Sequence, residues 1–573
     1  MDGFLLDYWG NILDFDENQG VVVNRRIDAA SPKLRVSVDG DVASFSFCNA
    51  QGVWEGLSVF PDRRLRAGET LAGSFSVSWQ RSGVKYPAFG YNGLFLSVSP
   101  DGTVAVDKTR VFDWETFRFL SEDEFRRLTW VTEHAWYSRS QDRIVAKPVP
   151  VRDNFTLDFS GLPVRIDDLF EVVSQSGLKT IDVFYDTWRL ERLELFNPVI
   201  YCCSFGRDEA FESLEMTVES LRRFAGYDGD IKVLTERDPE EVRRRYASLR
   251  DEKVGLVPYV PLDLIDYMSS RFDIGNYEEF QQYQPILYLD TDIIVGRSVD
   301  DLFLNIIRDP ASAVYVYVET RAPAEANYWG KELFDNDPFS VMPDYGFSTG
   351  VMAFRTLDGA DSFLKAVRQV IFRQSRELGS RLHLRCYDQP VANYVLAKMG
   401  CSTDAQLLNR FVVNFDMKMN HVDAAGYDAY VSALREPVLH FAGGVGGYDW
   451  KLGAMRRYRE WLLRPDRLEP ERVVPEQAIS EFAVPERAVP DFAEPDFAEA
   501  GLPGAGMSAI GVTQPGTVEA EKAEAESSGA GRGLVPESAG LERLVPEKMS
   551  ENFPPENLVS EDLAPKGLRS GRR

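Results

Sequence analysis

Cysteine is scarce and unpatterned. Cys48, Cys202, Cys203, Cys386 and Cys401 form an odd, scattered set with no CxxC spacing, which argues against a disulfide framework and a structural zinc site and fits a reducing compartment. Positive charge is also short: 64 Lys and Arg stand against 90 Asp and Glu, a net charge of -26. Phosphate backbones and anionic lipid headgroups are repelled by such a surface, so nucleic acid is not an expected partner. No stretch approaches the roughly 18 uninterrupted apolar residues of a membrane span. The opening "MDGFLLDYWG" lacks the basic region and long apolar run of a secretory signal. The expectation is a cytoplasmic protein without a transmembrane segment.

What is present is a long chain of 573 residues whose composition changes along its length. Single cores rarely grow past roughly 250 to 300 residues, so two or more domains are expected. From 464 to 573 Pro, Glu, Ala, Gly and Ser dominate, and an acidic residue recurs every five positions at Glu471, Glu476, Glu481, Glu486, Asp491 and Asp496. Five is neither a helix nor a strand period, and bulky apolar residues are too few to offset ordering entropy. A disordered, solubilising tail is expected there, with a partner-docking array as the alternative.

Residues 1 to 120 show short period-2 stretches such as "ASFSF" and "GSFSVSW". "WGNILDFDENQGVVVNRR" and "NGLFLSVSPDGTVAVDKT" share an apolar pair, a polar turn with Gly and a three-residue apolar strand. Leu34, Phe75 and Phe117 recur at 41- to 42-residue intervals. Three such units suggest a β-trefoil, and the last unit resembles a repeat of the fascin-like trefoil group. Trefoils often bind carbohydrate or protein ligands, and a purely structural appendage is the alternative. Residues 121 to 197 are read as a connecting segment. It opens with a capping box at Ser121 and Glu124, is interrupted by Pro148, Pro150 and Pro163, and ends as helix then strand in "RIDDLFEVVSQSGLKTIDVFYD".

After Asn197 the pattern becomes α/β: "PVIYCCSF" as a buried strand, "DEAFESLEMTVESLRRFAG" as an amphipathic helix closed by Gly226, and "DIKVLTE" as the next strand. Such alternation predicts a largely parallel sheet whose ligands gather at the carboxyl ends of strands. "PILYL" reads as a central strand, and Asp290 and Asp292 follow where it emerges. Residues i and i+2 of extended chain face one side, so the two carboxylates can converge while Thr291 points away. Two close anions call for a cation, and oxygen ligands select Mg²⁺ or Mn²⁺. A solvated strand end is the alternative. Asp14-Phe-Asp16, Asp228-Gly-Asp230 and Asp335-Asn-Asp337 are read as turns.

"YLDTDIIV" followed by "SVDDLF" resembles the signature of the glycogenin-like, family 8 glycosyltransferases. "DYGFSTGVMAFRT", "YDQPVANYVL", "LLNRFVVNFD" and "PVLHFAGG" are similar to further segments of that family, in its order, over 198 to 463. The resemblance implies an α/β GT-A fold, Rossmann-like and binding a nucleotide sugar, in a retaining enzyme that moves a hexose from a UDP-sugar to a glycan or other acceptor hydroxyl. It implies Mn²⁺ or Mg²⁺ held by Asp290, Asp292 and His440, with Asp388 and Gln389 beside the anomeric carbon as catalytic residues. Cys203, Ser204 and Asp208 would meet the uridine. Arg271 and Lys451 would reach the diphosphate, and Thr291, Ser348 and Gly350 would line the donor site. A lone His after an apolar strand is otherwise a structural residue, and an Asp at 388 is otherwise favoured by a helix N-terminus. Two departures stand out. Ser348 replaces the family's usual Asn, and "FAGGVGGYDWKLG" lacks the compact Lys-Pro-Trp, so Lys451 arrives only if the Gly-rich loop folds back. An inactive scaffold serving as a glycan- or protein-binding adaptor is the alternative function.

Overall fold

The computed structural model describes residues 1 to 464 apart from 29, 68–73, 80–85, 152–154, 173–178, 185–188, 324–326, 378–387, 402 and 443–446. The acidic repeats of the tail therefore lie outside the described residues, as do Cys386 and the centre of the Gly-rich loop after His440. Alternation in 1 to 120 becomes twelve short strands: β1 Asp2–Leu6, β2 Ile12–Asp16, β3 Val21–Arg25, β4 Leu34–Asp39, β5 Val42–Cys48, β6 Trp54–Val59, β7 Leu65–Ala67, β8 Ser74–Trp79, β9 Pro87–Tyr91, β10 Leu94–Val98, β11 Val104–Lys108 and β12 Arg118–Leu120. β5 shows the cause, since Ala43, Phe45 and Phe47 enter the core and the residues between them do not. Asp14 and Asp16, read as part of a turn, close β2, with Asp14 paired to Arg25 and Asp16 starting the turn that follows.

The pairings are antiparallel and close on themselves. β1-β2-β3-β7-β6-β5-β4 is a ring in which each strand is bonded to the next and β4 returns to β1, so the first 120 residues form an all-β barrel. β8 and β9 extend from β5, β12 pairs with β1, and the Phe117 N–H donates to Pro87 O at 3.1 Å. Leu34, Phe75 and Phe117 are all buried in the barrel core.

Residues 121 to 197 carry more regular structure than a connector. Helix Glu122–Glu133 starts with the expected capping box: Ser121 Oγ accepts from the Glu124 N–H at 3.2 Å, and Glu124 Oε2 accepts from the Ser121 N–H at 3.0 Å. Strands β13 Ala135–Ser138, β14 Arg143–Val145, β15 Val149–Val151, β16 Thr156–Asp158, β17 Pro163–Arg165, β18 Thr180–Phe184 and β19 Leu190–Phe196 form sheets ordered β14-β13-β19-β18 and β15-β16-β17. Helix Ile166–Val172 precedes β18, matching the helix-then-strand reading. Pro150 and Pro163 do not interrupt structure; they sit in the two edge strands of the second sheet, where a missing N–H is tolerated. Trp136, Leu157, Val164 and Leu193 share one core with Phe4, Leu6 and Leu120 of the barrel.

The remaining described residues build β20 Val199–Cys203, β21 Asp230–Thr235, β22 Val254–Pro258, β23 Ile286–Leu289, β24 Ile293–Val295, β25 Val314–Thr320, β26 Gly346–Phe354, β27 Val412–Asn414 and β28 Val438–His440. The main sheet runs β22-β21-β20-β23-β26-β25. Its first three pairings are parallel, as alternation predicts, whereas β26 joins β23 and β25 antiparallel. β23 is central and buried on both faces. Leu287 and Leu289 pack with Phe211, Leu214 and Val218 of helix Asp208–Arg223, and Ile286 and Tyr288 with Phe363, Leu364 and Val367 of helix Leu357–Phe372. Gly226, at φ +64°, ends the first of these helices in the left-handed region that favours glycine. A small sheet, β24-β28-β27, stands beside the end of β23. No described helix is long and apolar enough to cross a membrane.

Candidate active site

β23 ends at Leu289, and the residues that follow are held by three neighbouring elements. The Asp290 N–H donates to Gly350 O of β26 at 2.8 Å, and the Phe441 N–H donates to Asp292 O at 2.9 Å. Thr217 Oγ1, from helix Asp208–Arg223, lies 2.8 Å from Thr291 O and 2.7 Å from Ile293 O. The loop carrying both carboxylates is thus tied down on three sides. β24 then pairs antiparallel with β28, Ile293 opposite His440, and this register carries the imidazole to the carboxylates. His440 Nε2 lies 3.3 Å from Asp292 Oδ1. One ligand atom each from Asp290, Asp292 and His440 falls within 4.8 Å of the others. Gly350 keeps the space open, since a Cβ there would stand 2.7 Å from His440 Cε1 and 3.0 Å from Asp290 Oδ2.

Two cations neutralise the pair from within the chain. Lys451 Nζ, from the first turn of helix Gly447–Leu462, donates to Asp292 Oδ2 at 2.6 Å. Arg271 Nη1 lies 2.9 Å from Asp290 Oδ1 and donates to Thr349 O at 2.9 Å, while its Nε stands 3.1 Å from Asp388 Oδ2. The Tyr288 hydroxyl donates to Asp290 Oδ1, and Arg271 lies over its ring at 4.9 Å. Burial works to raise the Asp292 carboxyl, but Lys451 and His440 outweigh it and hold the group well below the usual carboxylate range. Burial likewise works against a charged His440, and Asp292 reverses it, raising the imidazole. At Asp388 burial wins over Arg271 and pushes the carboxyl up to about 6.

The other predicted residues divide. Asp388 opens helix Gln389–Lys398 yet makes no capping bond; its carboxylate turns to Arg271 instead. Gln389 Nε2 donates to Tyr328 O at 3.4 Å, and Ser348 Oγ accepts from the Gly350 N–H at 3.2 Å. Cys203 ends β20 and Ser204 follows it, with the Ser204 hydroxyl buried and without a hydrogen-bond partner, and burial pushes the Cys203 thiol up to about 12. Asp208 is taken up elsewhere, exposed and bound by Arg237 at 2.7 Å and by Arg245. Sequence reading assigned no role to Tyr288, Thr217 or Asn414. Asn414 ends β27, parallel to β28 and in register with His440, and its Oδ1 lies 3.1 Å from His440 Nδ1. The segment "LLNRFVVNFD" had marked its neighbourhood but not its partner.

Two carboxylates and an imidazole are a donor set suited to Mn²⁺ or a similar divalent ion. Asp292 Oδ1 is buried and accepts no hydrogen bond, the condition of an oxygen held for a cation. The residues present fit such an ion.

No family model and no curated protein matches the chain. Among solved structures it is similar to the apo bifunctional glycosyltransferase WbbM, at 15% identity and a TM-score of 0.31 over 45% of this chain and 49% of that one. It is similar to an active-site mutant of LgtC at 16% identity and TM-score 0.32, covering 45% of this chain and 95% of that one. The apo glycosyltransferase GlyE of Streptococcus pneumoniae TIGR4 matches at 16% and 0.28, over 47% and 63%. The chain thus spans about half the length of WbbM. TM-scores of this size establish neither a shared fold nor a shared activity.

Proposed function

We propose that residues 198 to 463 form a GT-A glycosyltransferase domain like that of the glycogenin-like family 8 enzymes, transferring a hexose from a UDP-sugar to an acceptor hydroxyl with retention of configuration. The observation that carries this reading is the convergence of Asp290, Asp292 and His440, from separate parts of the chain, around an unfilled Gly350 face at the carboxyl end of β23. Ligands of open α/β sheets gather at that edge. Asp290, Asp292 and His440 would hold Mn²⁺ or Mg²⁺, which when bound neutralises the diphosphate and favours departure of UDP.

The chain's own residues then divide the work. Lys451 stands next to the carboxylate pair, where an ammonium meets a phosphate oxygen as readily as Asp292. Arg271 ties Asp290 to Asp388 and so links the phosphate side of the site to the sugar side. Asp388 and Gln389 stand at the start of one helix, on the side assigned to the sugar. Ser204, with its unpaired buried hydroxyl at the end of β20, is offered to the uridine along with Cys203; Asp208, already held by two arginines, contributes least.

The first 120 residues are read as a fascin-like β-trefoil. Three hairpins, β2–β3, β6–β7 and β10–β11, support this, as does the succession of pairings β12·β1, β1·β4, β4·β5, β5·β8 and β8·β9 among the other six strands. Among the described residues nothing singles out a carbohydrate or a protein ligand for it.

Release of UDP from a panel of UDP-sugars, measured with Mn²⁺ present, tests the activity. Wild type should hydrolyse or transfer at least one donor and Asp292→Ala should not. If neither protein turns over any donor and neither binds UDP in a metal-dependent way, the reading is wrong and an adaptor built on an inactive scaffold takes its place.

A further inference from the structure

His440 does not face the carboxylate pair by register alone. Behind it, on the Nδ1 side of the ring, two side chains stand in line. His440 Nδ1 lies 3.1 Å from Asn414 Oδ1, and Asn414 Nδ2 donates to Glu319 Oε1 at 3.0 Å. Glu319 comes from β25, Asn414 from β27 and His440 from β28, so the line crosses from the main sheet into the small one. Asn414 is fixed at the backbone as well: its N–H donates to the Tyr317 hydroxyl at 3.1 Å, and the Phe415 N–H donates to His440 O at 2.8 Å.

The chemistry of these groups leaves one arrangement. An ionised carboxylate only accepts hydrogen bonds, so Glu319 must be met by the Asn414 NH₂. The amide oxygen is thereby turned toward His440. An amide oxygen also only accepts, so the imidazole must carry a proton on Nδ1. In the neutral ring Nε2 is then the sole nitrogen able to offer a lone pair, and it is the one 3.3 Å from Asp292 Oδ1. Were Glu319 an amide, Asn414 could turn over, the ring could carry its proton on Nε2, and no lone pair would face the carboxylates.

We propose that Glu319 and Asn414 are positioning residues of the cation site: the carboxylate orients the amide, the amide fixes the Nδ1–H tautomer of His440, and Nε2 is thereby presented to the ion beside Asp290 and Asp292. The proposal rests on the metal-centre reading above and adds two residues to it that touch neither the ion nor the donor. Outer partners of ligating imidazoles commonly change metal affinity by about 10- to 100-fold when removed.

Two measurements on the full chain test it. The first needs no variant: with ¹⁵N-labelled histidine, metal-free and at a pH where the rings are neutral, the His440 ring nitrogens, assigned by loss of their signals in His440→Gln, report the tautomer. Protonated Nδ1 is expected; protonated Nε2 overturns the proposal. The second is Mn²⁺ binding by calorimetry to wild type, Glu319→Gln and Asn414→Leu, each with its melting temperature. Both variants are expected to bind Mn²⁺ at least about tenfold more weakly while melting within a few degrees of wild type, and Glu319→Asp, which keeps the acceptor, should recover part of the loss. Unchanged affinity in folded Glu319→Gln and Asn414→Leu overturns the proposal. A wild type that binds no Mn²⁺ overturns the metal-centre reading instead, and the tautomer then decides whether the line of hydrogen bonds exists.

Discussion

Asp388 and Lys451 show what single residues contribute at the candidate site. Asp388 has a cation at 3.1 Å and yet a carboxyl raised to about 6, because burial outweighs the pairing. Against an unfolded value near 3.9, the native state keeps a proton that the unfolded chain has lost between roughly pH 4 and 6, so stability falls as pH rises through that window. The full effect is on the order of 3 kcal/mol above pH 6 and absent below pH 4. Asp388→Asn should therefore raise the urea midpoint at pH 7.5 and leave it unchanged near pH 4; a gap independent of pH would contradict this. Lys451 shares Asp292 with the proposed ion, and two cations on one carboxylate repel each other. Lys451→Met should tighten Mn²⁺ binding measured by calorimetry without UDP, by several-fold, and weaken binding of UDP once Mn²⁺ is bound. The pair Asp290 and Asp292 was legible in the sequence because a buried apolar run delivers it. Arg271 and Lys451 were suggested only by resemblance, and their partnering of the carboxylates follows from contacts that cross much of the chain.

Elements hold these residues in place through a few side chains that reach backbone. Thr217 serves the carbonyls of Thr291 and Ile293, and no other hydroxyl among the described hydrogen bonds does so. Thr217→Val removes the one hydroxyl proton these carbonyls share and should cost about 1 to 3 kcal/mol of stability, read in urea unfolding, with weaker Mn²⁺ binding as the loop loosens; a wild-type midpoint would contradict this. Asn393 does the equivalent for β26, its side chain exchanging bonds of 2.9 Å with both Phe347 N–H and Phe347 O. Strands and helices with a strong period were readable: β23, helix Asp208–Arg223 and its Gly226 stop all lie where the pattern put them. The structure within 121 to 197 was not, because its strands of three to seven residues give little room for a period to show. Of the prolines read there as breaks, Pro150 and Pro163 occupy sheet edges, while Pro148 does lie between β14 and β15. The antiparallel entry of β26 was equally hidden, since a fully buried strand reads the same in either direction.

At the scale of the molecule, the first 120 residues and the following segment are not independent. Phe4, Leu6, Ile12, Tyr86 and Leu120 pack into the core of 121 to 197. Fully buried Arg118 pairs with Asp167 at 2.7 Å and with Glu124 at 3.1 Å, and Tyr86 donates its hydroxyl to Asp167. Cutting after residue 120 uncovers that apolar face, so an isolated 1 to 120 fragment should bind a hydrophobic dye and aggregate, whereas 1 to 197 should be soluble with cooperative unfolding. Equal behaviour of the two fragments would contradict the shared core. Arg118→Met, which takes the buried cation away from both carboxylates, should cost about 1.5 to 3 kcal/mol. The next junction is ionic: Glu194 of β19, almost fully buried, is held by Arg139 and by Arg355, which directly follows β26. The chain thus links barrel, middle segment and α/β sheet through buried contacts, with the candidate site at the far edge of the last. At that site Asp290, Asp292 and His440 are proposed to hold one divalent cation. Anomalous diffraction from crystals soaked with Mn²⁺ and UDP tests this most directly: a single manganese peak among those three side chains is predicted, with Lys451 moved off Asp292. No peak there, with Lys451 still on that carboxylate, would contradict it.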